Sequence, residues 1–267
     1  MNKVLIFFND MKINNYISRV FILLGLYIAF LLAASVLGGI IFFYTNDMTS
    51  LLILATVIAF GGSVVVYHKI FDKKWIDTSL FQKPDSWKWL VVAGILFAAS
   101  VPLVDYFSKP ETDQTILKLC SNASTFKVIV LVFGVAVFPA VFEEWFFRGI
   151  IQTNLSKVTK NSYVAIIITA LVFSAMHFDF GNLVARFILG FILGLMFYYS
   201  KSLWVNILVH FANNFIVLLT ILLQGKDGMM DMEEKIFDNI LYIIPSILLI
   251  AAIILLYEKK KLINSES

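Results

Sequence analysis

The sequence predicts an all-α fold, a polytopic membrane helical bundle of about eight transmembrane helices, and three observations predict it. The 267 residues are 60% hydrophobic and 15% charged, with a mean hydropathy of +0.87. Soluble domains sit near roughly 45–50% apolar and about 25% charged. The apolar residues gather into runs close to the roughly 17–25 residues that a helix needs to cross a bilayer. Phenylalanine alone occurs 26 times, which suits lipid-facing and helix-packing surface.

The first run, Val20–Tyr44, is too long, too internal and followed by too many others to be a cleaved signal peptide. The stretch before it, MNKVLIFFNDMKINNYISR, mixes apolar and basic residues and is expected on the membrane surface. Leu51–Tyr67 and Trp89–Phe107 follow as second and third runs, and Val128–Ile151 as the fourth. Tyr163–His177 is short for a span, and Leu183–Tyr199, Leu203–Leu223 and Ile236–Tyr257 complete the eight. Phe107 to Lys127 is the longest polar connection and is expected to face outward.

Positive residues concentrate on cytoplasmic loops. With an inside amino terminus and eight spans, Lys109, Lys118, Lys127, Arg186, Lys226 and Lys235 fall outside, and the other 15 of the 21 Lys and Arg fall inside. That bias predicts an integral multi-pass protein with both termini cytoplasmic. No composition shift, low-complexity tract or repeat divides the chain, so 1–267 reads as a single membrane domain. Nothing in it calls for a nucleic-acid partner. The one cysteine, Cys120, excludes an internal disulfide and fits a structural zinc cluster poorly.

Against this background the stretch AVFEEWFFRGI stands out. Ionisable residues inside a span are costly and are functional candidates by default. Glu144 and Arg148 are four apart, one turn on a single helix face, and form an ion pair that lowers the cost of burying both. Glu143 sits about 100° around the helix from Glu144, so Arg148 neutralises Glu144 more readily. One carboxylate is structural and the other is left for chemistry, against the plainer reading that both cap the span at the interface.

Two of the three histidines also lie in spans. FSAMHF places His177 late in the fifth, and NILVHFANN places His210 and Asn214 four apart on one face of the seventh. Histidine transfers protons near neutral pH or binds metals. Asn206 shares that face and is expected to orient the His210 imidazole. His68 abuts Lys69 at a span end and reads as interfacial and silent, as do Asp105 and Arg186 near outer span ends. Gly190 and Gly194 form a small-xxx-small pattern that lets helices approach closely. Pro139 frees the carbonyl of Val135, four residues earlier, and predicts a kink. At about 1.5 Å per residue, Glu143 and His210 lie roughly two turns from the cytoplasmic ends of their spans, and His177 is deeper by about 10 Å. Bringing it level requires a tilted fifth helix, or one whose start lies on the surface around Ser156–Ser162.

At these residues the chain resembles the CPBP family, the CAAX proteases and bacteriocin-processing proteins. EEWFFR (Glu143–Arg148) is similar to its EExxxR motif, FSAMH (Phe173–His177) to FxxxH, and HFANN (His210–Asn214) to HxxxN, in the same order. The resemblance covers about 126–219, expected to be the catalytic core. It implies an intramembrane endopeptidase acting on a membrane-associated peptide or protein, in a bacterial cell membrane. The family includes type II CAAX prenyl endopeptidases and members attributed to peptide maturation, self-immunity or scaffolding. It implies Glu143 as the general base, His177 as its partner in holding water, His210 and Asn214 as oxyanion donors, and Glu144 with Arg148 as the structural ion pair.

No cofactor is expected, with zinc as the alternative, since two histidines and a glutamate can make a catalytic zinc set. A non-catalytic scaffold or immunity protein is the second reading. A transporter with Glu143 and His177 in a proton relay is the third, although the inverted repeats and broken helices it requires are missing.

Overall fold

The computed structural model describes residues 16–72, 78–84, 86–109, 118–120, 123–224 and 240–266. Most of the amino-terminal stretch, Lys73 and Lys74, much of the Phe107–Lys127 connection, Lys226, Lys235 and the start of the eighth run lie outside them. The described residues contain no strand. The long helices are α1 Tyr16–Thr45, α2 Thr49–Phe71, α3 Lys88–Phe107, α4 Thr125–Thr159, α5 Ser162–Ala175, α6 Leu183–Ser200, α7 Leu203–Gln224 and α8 Ile243–Glu266. Six of the eight expected spans are long and apolar enough to cross a membrane: α1, α2, α3, α4, α6 and α7.

The fifth run is as short as the sequence indicates, and its helix ends before His177. α5 has 14 residues, about 21 Å at 1.5 Å per residue, short of a hydrocarbon core of about 30 Å. His177 is not on it. The helix stops at Ala175, and the chain turns through Phe178, a non-glycine residue at φ 53°. His177 lies in this turn rather than on a span.

Local chemistry sets the ends. Asn161 Oδ1 accepts from the backbone N–H groups of Tyr163 and Val164, capping α5, and Ser124 Oγ accepts from that of Lys127, capping α4. Lys160 and Lys201 close α4 and α6 in the left-handed region, turning the chain back within two residues. α4 carries two π-helical stretches, Val132–Val137 and Trp145–Gln152, on either side of Phe138–Glu144. Such bulges turn the faces of a helix relative to one another and recur at functional sites.

α6 is the most enclosed of the six spans. It packs on α5, on α3 and, more lightly, on α7. α1 and α2 lie against α4, and α8 closes on α3. The α5–α6 approach is close, as the two glycines imply. A Cβ on Gly190 would fall 3.2 Å from Ala170 Cα, and one on Gly194 would fall 2.7 Å from Ile166 Cγ2. The bared carbonyls are used as well: Arg148 Nη2 donates to Gly190 O and Gln152 Nε2 to Gly194 O, each at 3.0 Å. Two donors four apart on α4 thus meet two acceptors four apart on α6.

Candidate active site

The mid-section of α4 presents its two glutamates to different surroundings. Glu144 and Arg148 are fully buried, and Arg148 Nη1 donates to Glu144 Oε1 at 2.7 Å. His210 Nδ1 lies 2.7 Å from that same oxygen. Asn206 Nδ2 donates to Glu144 Oε2 at 3.2 Å and to Leu193 O at 2.6 Å. A buried carboxylate is tolerable only when it is paired and its remaining lone pairs are met, and here α4 and α7 together meet them. Asn206 does not orient the imidazole, as its place on the His210 face suggested. It sits beside His210 as a second donor to the same carboxylate.

Glu143 is also buried, at 7% exposure, but its Oε2 has no hydrogen-bond partner among the described residues. His177 Nε2 approaches that oxygen to 3.9 Å and His210 Nε2 to 4.0 Å. Each imidazole spends its other nitrogen on an acceptor, His177 Nδ1 on Phe173 O at 2.7 Å and His210 Nδ1 on Glu144. A carbonyl and an arginine-paired carboxylate supply no hydrogen, so both Nδ1 atoms carry theirs. A neutral ring then turns the lone pair of Nε2 towards Glu143. The tautomers follow from the hydrogen-bond network.

Asn214 does something the sequence only half suggests. Pro139 leaves the Val135 carbonyl without its helical donor, and Asn214 Nδ2 donates to it at 3.2 Å. Asn213 Nδ2 donates to Asn214 Oδ1 at 3.1 Å. One N–H of Asn214 thereby holds α7 to the bulged part of α4.

His68 contradicts the expectation of a silent interfacial residue. It is 2% exposed, its Nδ1 donates to Asp72 Oδ2 at 2.6 Å, and its Nε2 accepts from Trp145 Nε1 at 3.0 Å. An i, i+4 Asp72 and a facing indole make a structural chain from α2 to the residue after Glu144. The Asp72 spacing was visible in the sequence, but the Trp145 contact spans 77 positions and was not. Gln152 was also missed, because a lone glutamine near a span end carries no pattern.

The turn bearing His177 is braced from outside the motifs. Arg186 Nη2 pairs with Asp179 Oδ2 at 2.8 Å, and Asn182 Nδ2 donates to the same carboxylate at 3.0 Å. Asn182 Oδ1 accepts from the backbone N–H of Lys109, at the end of α3. Burial pushes the Asp179 carboxyl up, but the Asn182 hydrogen bonds and the Arg186 guanidinium more than offset this and hold it below its ordinary range. Among the described residues, no three of His, Cys, Asp and Glu stand grouped to hold a metal ion.

Residues 125–216, which carry all these side chains except those of α1, α2 and α3, match the family described as Type II CAAX prenyl endopeptidase Rce1-like. The chain is also 32% identical over 102 residues to the membrane-embedded CAAX protease MroQ of Staphylococcus aureus (strain USA300). That similarity covers 36% of this chain and 41% of the relative. No solved structure matches the chain.

Proposed function

From the membership of residues 125–216 in the CPBP family, we propose that the chain is an intramembrane endopeptidase that hydrolyses a peptide bond of a membrane-associated peptide or protein with water activated by Glu143. The supporting observation is the convergence of His177 Nε2 and His210 Nε2 on the unpartnered Oε2 of a buried glutamate.

Peptide hydrolysis needs a water that loses a proton as it attacks, donors for the oxyanion, and a proton for the leaving amine. A water between Glu143 and His177 finds two acceptors for its two hydrogens. Glu143 takes the proton during attack and returns it to the amine, and such general-base assistance contributes about 10²–10⁴-fold. The spare N–H of Asn214 is one candidate oxyanion donor. His210 donates from Nε2 only as the imidazolium, because its Nδ1–H is committed to Glu144. Glu144, Arg148 and Asn206 hold His210 and α4 in place and take no part in the chemistry.

We propose no resident metal, both termini in the cytoplasm, 1–267 as one membrane domain, and 126–219 as its catalytic core. The charge bias supports the orientation. A substrate is expected to reach Glu143 from the membrane, and a bacterial peptide precursor is the class the family resemblance suggests.

The test is hydrolysis by the purified full chain in liposomes, screened against a library of internally quenched lipopeptides, beside Glu143→Gln. Cleavage by the wild type that is lost in Glu143→Gln at equal reconstitution supports the reading. An equally active Glu143→Gln protein rejects it in favour of a scaffold. Metal content belongs to the same preparation: about one zinc per chain, with chelation abolishing cleavage and zinc restoring it, would reassign Glu143, His177 and His210 as ligands.

A further inference from the structure

A donor inventory of the site leaves a gap. Glu143 Oε2 and the Nε2 atoms of both neutral imidazoles are acceptors, and Asn214 has already spent one of its two N–H groups. The oxyanion is therefore left with the one spare N–H of Asn214 unless His210 takes a second proton.

α1 supplies a group that the family motifs do not contain. Tyr16 lies beside Lys157, with the ammonium 4.8 Å from the ring centroid, and Tyr27 packs against Phe146 at 5.5 Å between centroids. Eleven residues forward on α1 thus correspond to eleven back on α4, so the helices run antiparallel in register. Phe146 is three residues from Glu143, on a neighbouring part of the helix surface. The Tyr27 ring is further fixed by Phe60 of α2, at 4.7 Å, and the residue is 7% exposed. The Glu143 carboxylate acts electrostatically on the Tyr27 hydroxyl.

A buried tyrosine hydroxyl usually finds a partner. Tyr67 does, accepting from Asn154, and so does Tyr163, donating to Glu258. Tyr27 makes no hydrogen bond among the described residues. Its ring is held by aromatic packing against Phe60 and Phe146, and its O–H remains free to donate.

We propose that Tyr27 is a further catalytic residue, whose hydroxyl donates a hydrogen bond to the oxyanion formed at the scissile carbonyl from the side opposite the two histidines. The proposal rests on the endopeptidase reading of the same site. It makes α1, which lies outside the matched segment, part of the active centre. It also explains why a phenol rather than a phenylalanine sits among Phe60, Phe146 and Phe147. No bond is made or broken at Tyr27; the donor is set in place before reaction and meets charge only as it develops.

Tyr27→Phe removes one oxygen and keeps the packing, so it is the direct test. With a lipopeptide that the liposome screen shows to be cut in a Glu143-dependent manner, the variant should lose about 10²–10³-fold in kcat, the usual cost of one oxyanion donor. KM, abundance and thermal stability should be unchanged. Fluorotyrosines of graded acidity incorporated at Tyr27 keep the hydroxyl in place, and kcat should vary with the acidity of the phenol, whereas a purely steric role predicts one rate for all of them. Wild-type kcat in Tyr27→Phe beside an inactive Glu143→Gln overturns this inference and leaves the endopeptidase reading standing. Full activity in Glu143→Gln sinks both.

Discussion

Glu143 and Glu144 are chain neighbours, both carboxylates and almost equally buried, yet the groups that meet their oxygens differ. Around Glu144 both oxygens are met, by Arg148, His210 and Asn206. Around Glu143 one oxygen has no partner among the described residues, and two imidazoles stand about an ångström too far for direct hydrogen bonds. The difference arises because adjacent helical residues point about 100° apart, so one helix can aim one carboxylate at α7 and the other at the turn after α5. The first arrangement is a closed electrostatic unit that holds helices together. The second has a polar edge that a water or substrate must complete. His210 belongs to both, one nitrogen in each, and links the rigid unit to the open one.

The largest expected effect tests the open side. Glu143→Gln and His177→Ala should each remove hydrolysis at normal membrane abundance, and the double variant should be no worse than either single one, because residues acting as one unit fail together. Losses that multiply, measured as kcat/KM on one lipopeptide, would show that the two groups act independently.

The next variant breaks the closed side. Arg148→Ala strands Glu144 as an unpaired buried charge and should cost about 3–5 kcal/mol of stability, whereas Glu143→Gln should unfold like the wild type. Thermal unfolding in detergent reads both, and indistinguishable Arg148→Ala and wild-type curves would erase the contrast. Asn206→Ala attacks the same unit less severely. It leaves Glu144 Oε2 without its Asn206 donor, for about 1–3 kcal/mol, with activity falling only as far as folded protein does. A large drop in kcat at full stability would move Asn206 to the catalytic side.

The smallest effect concerns the brace beneath His177. The Asp179 carboxyl is held below its ordinary range in the folded protein. A depressed folded value stabilises the fold above the unfolded pKa of about 3.9 and is lost as pH falls through the folded value. The stability difference between wild type and Asp179→Asn should therefore be full at neutral pH and close progressively below about pH 4. A difference that persists unchanged into acid would show that the contacts of Asp179, rather than its charge, brace the turn.

What could be read in advance follows the range of the interaction. Membrane residence follows from composition, and most helices from the length of the apolar runs, because a span must meet its own backbone hydrogen bonds. The Glu144–Arg148 pair and the carbonyl freed by Pro139 were legible, since both are contacts within four residues along one helix. The shortness of α5 was legible as well, but not its end, because the apolar pattern continues past Ala175 into the turn at Phe178 and carries no mark of where the helix stops. Nor could the sequence say that His210 would divide its nitrogens between two glutamates, that Asn214 would cap Val135, or that His68 would meet Trp145. Each depends on which faces of separate helices come together. In this bundle packing decides that, through the close α5–α6 contact at Gly190 and Gly194 and the two π stretches of α4, which turn its polar residues towards their partners. The sequence by itself determined which polar groups enter the apolar runs; the tertiary structure decided which of their atoms are satisfied there and which, Glu143 Oε2 among them, are left open.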